Sequence, residues 1–90
     1  MAYTVLKGQT FDRALSKLPR DIQSRIAKGL RVLEDDPFKP RSGADIKMLE
    51  GGRFPKLRLR IGDYRIVYTV AEEHIVKLLD VWHRGRDRYD

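Results

Sequence analysis

No cysteine occurs in the 90 residues, which excludes disulfides and thiolate metal sites. Long apolar runs are missing too. None approaches the roughly 18 residues that a membrane-spanning helix needs, and the opening MAYTVLKGQTF lacks the apolar centre of a secretory signal. A cytoplasmic location with no membrane contact is therefore expected. Histidine is scarce: His74 and His83 are far apart in the chain and poor in carboxylate company, so no metal site is expected. No P-loop, GxGxxG or HExxH is present, no serine stands in a nucleophile motif, and no cofactor is expected. Internal repeats and low-complexity segments are absent.

Acidic residues are the minority charge. Nineteen lysines and arginines face 13 aspartates and glutamates, for a net charge of +6. A hydrophobic fraction of 41% against 36% charged residues fits a folded domain rather than a disordered chain. Ninety residues make one domain, 1–90, with a single core. The excess of cations points to an anionic partner: nucleic acid, acidic protein or anionic lipid. Their distribution sharpens this. Arg53, Lys56, Arg58, Arg60 and Arg65 crowd one segment in which Asp63 is the only acid.

Tyr3 and Val5 alternate with Thr4 and Leu6, which predicts a first strand. Thr10 is the expected cap of a helix carrying Phe11, Ala14, Leu15 and Leu18 at helical spacing. Pro19 either ends that helix or opens the next. Ile22, Ile26, Leu30 and Leu33 form the apolar stripe of a second helix, with Gly29 inside it allowing close approach to a neighbour. The stretch EDDPFKP stops that helix. KPRSGADIKMLEGG reads as a loop anchored by Ile46, Met48 and Leu49. Strands are expected at Phe54–Ile61, Tyr64–Val70 and Ile75–Trp82, with turns at Gly62-Asp63 and Glu72-Glu73. The expected class is α+β in the order β-α-α-β-β-β, an antiparallel sheet with a two-helix hairpin packed on one face.

A two-residue turn at Gly62-Asp63 fixes the hairpin register. Ile61 then faces Tyr64, Arg60 faces Arg65, Leu59 faces Ile66 and Arg58 faces Val67. Leu57, Leu59, Ile61, Tyr64, Ile66 and Tyr68 share one face; Lys56, Arg58, Arg60 and Arg65 share the other. Like charges directly opposite in a sheet cost a few tenths of a kcal/mol to about 1. Two readings account for Arg60 opposite Arg65. The cations splay into solvent and pair with Asp80 or the tail acids, or they form a site for phosphates, which arginine binds in bidentate fashion. Trp82 is either core or a base-stacking platform. Tyr3, Tyr64 and Tyr68 read as core aromatics, and His83 as a surface residue at a strand end.

The chain resembles the RelE/ParE superfamily of type II toxins, and within it the RelE branch. KLPRDIQSRI with LEDDPF, then MLEGG, KLRLRIGDYRIVY and VWHRGRDRY carry the resemblance. It implies a RelE-like fold and a ribosome-dependent endoribonuclease that cuts mRNA in the ribosomal A site. The implied partners are the ribosome with its mRNA and a cognate acidic, RelB-like antitoxin. The implied catalytic residues are Lys56, Arg58, Arg65, Arg84 and Tyr89. Arg53, Arg60, Arg86 and Arg88 are expected to bind RNA beside them. The sequence departs from the family in three places. Phe54-Pro55 stands where an aromatic often directly precedes the first lysine, Trp82 replaces a small residue, and Tyr89 lies nearer Arg84 than is usual. Metal-free cleavage would use the RNA 2′-hydroxyl as nucleophile. It needs a proton acceptor, a proton donor and cations for the phosphorane charge. Arginine is no base, which leaves Lys56, crowded by arginines, and Tyr89. Two rivals stand beside this reading: a ParE-like toxin that acts on DNA gyrase without nuclease activity, and a catalytically silent module binding RNA or protein.

Overall fold

A computed structural model describes residues 2–86. Strand β1, Thr4–Lys7, ends at Gly8, whose N–H donates to the Leu78 carbonyl at 2.9 Å. That bond fixes where the first helix begins. Gly8, not Thr10, is the cap of α1, Gln9–Ser16, and no side chain caps it. Pro19 opens α2, Arg20–Gly29, as a residue that needs no helical hydrogen bond of its own. The stripe continues beyond Gly29, but the helix does not. The Arg31 N–H bonds the Lys28 carbonyl and that of Leu33 bonds Leu30, tightening the chain before the short α3, Val32–Asp35. Ile26, Leu30 and Leu33 are all buried across this break. Gly29 has the role expected of it: a Cβ there would lie 2.6 Å from Ile61 Cδ1. The missing side chain lets α2 settle onto the sheet.

After α3 the chain is turned by two polar devices. The Asp36 carboxylate accepts the backbone N–H groups of Phe38 and Lys39, which hold its carboxyl below the usual carboxylate range. The Arg41 guanidinium donates to the carbonyls of Val32, Asp36 and Lys39 at 2.9, 3.0 and 2.6 Å, a cation at a helix C-terminus. Between them Pro37 presents its carbonyl to the buried Tyr68 hydroxyl, which donates to it at 2.6 Å. Burial pushes the Tyr68 phenol up. A raised phenol pKa contributes stability that is intact below about pH 10 and lost as pH rises beyond it. We expect the melting temperature to fall above that pH, and one of the four tyrosines to ionise only as the protein unfolds. Ultraviolet titration of the wild type against Tyr68→Phe checks this: a wild type with no late-ionising phenol that the variant lacks would contradict it.

The segment expected as a loop contains β2, Asp45–Glu50. β3 (Lys56–Ile61), β4 (Tyr64–Ala71) and β5 (Ile75–His83) follow, and a 3₁₀ turn spans Arg84–Arg86. The sheet is five-stranded in the order β1-β5-β4-β3-β2. Four strands in an antiparallel sheet were expected. The α+β class stands, but β2 adds an edge strand and β1 pairs with β5 in parallel, which makes the sheet mixed. Ile46 anchors β2 in the core as anticipated, whereas Met48 is exposed, because the β2 bulge after it lies at the sheet's margin. The Gly62-Asp63 turn is as expected, with Gly62 at φ +58. The next turn spans three residues, since Ala71 pairs with Ile75, and Glu73 and His74 both take positive φ there.

One sheet face carries Leu57, Leu59, Ile66, Tyr68, Val76 and Leu78, all fully buried with Phe11, Ile26 and Leu33 from the helices. Packing both helices on this face leaves the opposite face to the cations.

Candidate active site

The β3–β4 register agrees with the sequence reading, Ile61 with Tyr64, Arg60 with Arg65, Leu59 with Ile66 and Arg58 with Val67, and it continues to Lys56 with Thr69. Strand alternation therefore gathers Lys56, Arg58, Arg60 and Arg65 on the face away from the helices. Along β3 the strip from Lys56 to Arg60 extends roughly 13 Å at about 3.3 Å per residue, longer than one phosphate group.

The last strand completes the site. Arg65 pairs with Trp82 and Val67 with Asp80. A bulge opposite Val67 and Tyr68 returns β5 to this register. Beyond β5, the Arg84 N–H donates to the Asp63 carbonyl at 2.7 Å, and its guanidinium stands 3.8 Å from the Asp63 carboxylate. The hairpin turn thus pins Arg84 at the end of the sheet where β4 begins, one residue before Arg65. Arg84 is more than half exposed. His83 is exposed beside it; its ring meets Tyr64 edge-on at 5.3 Å, and its Nδ1 accepts the Gly85 N–H at 3.3 Å.

The centre of this face is less open than a row of arginines suggests. Arg58 is 9% exposed, Asp80 4% and Trp82 4%, while Val67 between them is fully buried. Trp82 is therefore packed and not an open stacking platform. Asp80 Oδ1 accepts the Val81 N–H at 2.8 Å. Register puts this buried carboxylate beside Val67, on the face that carries the cations.

Further counter-charges come from β2, the strand that was expected to be a loop. Asp45 Oδ1 lies 3.3 Å from the Arg58 guanidinium, and Oδ2 lies 3.6 Å from Arg60 Nε. Glu50 stands 3.9 Å from Lys56 Nζ. The polar-apolar alternation of DIKM, Asp45 to Met48, was the available sign that this segment is a strand bringing acids to the strip.

Arg53 does not join the group. It ion-pairs with Glu72 and lies over the Phe54 ring at 5.2 Å, at the end of the hairpin opposite Arg84. A hollow of about 420 Å³ lies there too, lined by Phe54, Thr69, Ile75 and Lys77 with Glu72 and Glu73. Two carboxylates at its wall disfavour a polyanion, so the arrangement of charge, not hollow size, locates the site. Arg86 ends the 3₁₀ turn after β5. Arg88 and Tyr89 lie outside the described residues.

A strip of cations across two interior strands of this topology can be compared with known folds. The archaeal RelE of the RelE–RelB complex from Pyrococcus horikoshii matches with 35% identity over 97% of this chain and all of that one, at a TM-score of 0.82. The chain belongs to the RelE/ParE superfamily of toxins, in its RelE branch. The family model described as the ParE toxin of type II toxin-antitoxin systems matches residues 8–88. The RelBE2 toxin–antitoxin complex of Mycobacterium tuberculosis gives 28% identity over 93% of this chain and all of that one, with a TM-score of 0.68. The isolated Escherichia coli RelE toxin, at 23% identity and a TM-score of 0.69 over 97% of this chain and 89% of that one, shares the fold. No curated protein sequence gives a significant match. As a RelE-branch member the chain is a type II toxin. Among its described residues no helix is long and apolar enough to cross a membrane.

Proposed function

We propose that this RelE-branch toxin is a ribosome-dependent endoribonuclease that cuts mRNA in the ribosomal A site, in the cytoplasm. The observation that carries the reading is the placement of Arg65, near the start of β4, and Arg84, just past β5, at the same turn end of the strip. Two arginines brought to one end of the sheet from different segments suit one phosphate, and the Lys56–Arg60 strip beside them suits the flanking backbone. Arg65 and Arg84 bind the scissile phosphate and neutralise the charge that grows on it as the 2′-hydroxyl attacks. The chain closes a 2′,3′-cyclic phosphate and expels the 5′-oxygen. Arginine keeps its protons, so proton transfer falls to Lys56 or Tyr89. Metal plays no part in this scheme.

The cationic face also suits an acidic, RelB-like antitoxin. Relatives solved as complexes with RelB support such a partner. Retention of Lys56, Arg58, Arg65 and Arg84 favours the nuclease over a gyrase poison. A paired assay separates the two. The wild-type protein should halt a purified translation system and leave gyrase supercoiling unchanged. Inhibited supercoiling with intact translation would replace this reading by the gyrase-directed one.

A further inference from the structure

We infer that Asp45 holds the place of a substrate phosphate between Arg58 and Arg60, so that an incoming RNA backbone must displace it. The inference rests on reading the strip as a phosphate-binding face. Its basis is geometric. One carboxylate bridges two guanidiniums, Oδ1 to Arg58 at 3.3 Å and Oδ2 to Arg60 at 3.6 Å. Register puts Asp45 directly opposite Arg60 and one diagonal step from Arg58. A phosphodiester presents the same charge and the same pair of oxygens to the same two forks.

The bridge has two consequences. Arg58 is nearly buried, and a buried guanidinium needs a counter-charge when no substrate is bound. Asp45 supplies one and keeps both forks aimed at a common point. The same carboxylate repels a polyanion that arrives without further binding energy, so loose RNA is held weakly. Asp45 itself is half-exposed on an edge strand. It borders a hollow of about 340 Å³ lined by Gly43, Arg60 and Gly62 among others. The side chain therefore has room to swing aside without moving the core.

The test is a titration of Asp45→Asn with a single-stranded oligoribonucleotide of mixed sequence, followed by fluorescence anisotropy at several salt concentrations. Asp12→Asn, on exposed α1 on the other side of the sheet, makes the same change in net charge and serves as the control. Asp45→Asn should bind roughly fivefold tighter than the control variant, the effect of removing one charge at contact distance from a phosphate in a watery setting. Its log-log salt slope should steepen by roughly 0.7, one more single-strand phosphate neutralised. Asp45→Ser should do the same if the asparagine variant folds poorly. Equal affinities and slopes for the Asp45 and Asp12 variants would overturn the inference. No ribosome and no cleavage enter this titration, so failure of the ribosome assay would leave its result standing.

Discussion

Arg65→Ala and Arg84→Ala should each fold, bind the antitoxin and lose mRNA cleavage by on the order of 100-fold or more, the usual cost of removing a positioned charge from a transition state. Their positions make the prediction specific. Arg84 is exposed and held by its own backbone hydrogen bond to Asp63. Its side chain can be removed without breaking that bond, so the stability change should stay within about 0.5 kcal/mol. Arg65 is half-buried beside Trp82 in register and carries more packing through its aliphatic stem. Its alanine variant should lose more stability than that of Arg84 while losing a similar share of activity. Lysine at either position should restore part of the rate, because it returns the charge without the planar fork. Thermal melting of each variant separates unfolding from lost chemistry. Near wild-type cleavage by Arg84→Ala would remove the phosphate-binding role.

Gly8→Ala should lower the melting temperature by roughly 10–20 °C, the equivalent of about 2–3 kcal/mol in a chain of this size. Nothing about its backbone dihedrals requires glycine, since φ is −76° and ψ 164°. The need is for space. An added Cβ would lie 2.6 Å from the Leu78 carbonyl oxygen. That oxygen is backbone, already accepts the Gly8 N–H at 2.9 Å, and cannot rotate away. The methyl group must therefore push β1 off β5, break that bond and tilt the start of α1. The contrast is Gly29, where the clash is with side-chain atoms of Ile61, Cδ1 at 2.6 Å and Cγ1 at 2.9 Å, and not with backbone. There a neighbour can change rotamer, and alanine also brings better helix propensity, worth about 1 kcal/mol. Calorimetry of Gly8→Ala checks the account; a melting temperature unchanged from wild type would contradict it.

These cases show what the sequence could reveal. The cation strip was legible because alternation and a Gly-Asp turn determine a hairpin register without outside help. The position of Arg84 was legible for a similar reason: an antiparallel strand of known length must end near the turn of its neighbour. β2 was marked only by the four-residue alternation of DIKM, too short to read alone, because a short edge strand next to glycines takes most of its regularity from pairing with β3. With β2 went the role of Asp45 and Glu50. The parallel pairing of β1 with β5 joins residues some 70 positions apart in the sequence, and periodicity carries no information about such pairing. Trp82 could be read as core or platform because alternation assigns a face but not its cover.

We propose that this chain cuts mRNA on the ribosome through a 2′-hydroxyl attack steered by Arg65 and Arg84. The measurement that tests it most directly is single-turnover cleavage of a labelled mRNA on ribosomes programmed with an empty A site, followed by the wild-type toxin. Three substrates are compared: the mRNA on the ribosome, the same mRNA free, and a ribosome-bound mRNA carrying a 2′-deoxy nucleotide at the cut position. The account predicts a cut inside the A-site codon ending in a 2′,3′-cyclic phosphate, with the free mRNA and the deoxy substrate left whole. Unbroken mRNA on the programmed ribosome, or equal cutting of the deoxy substrate, would contradict it.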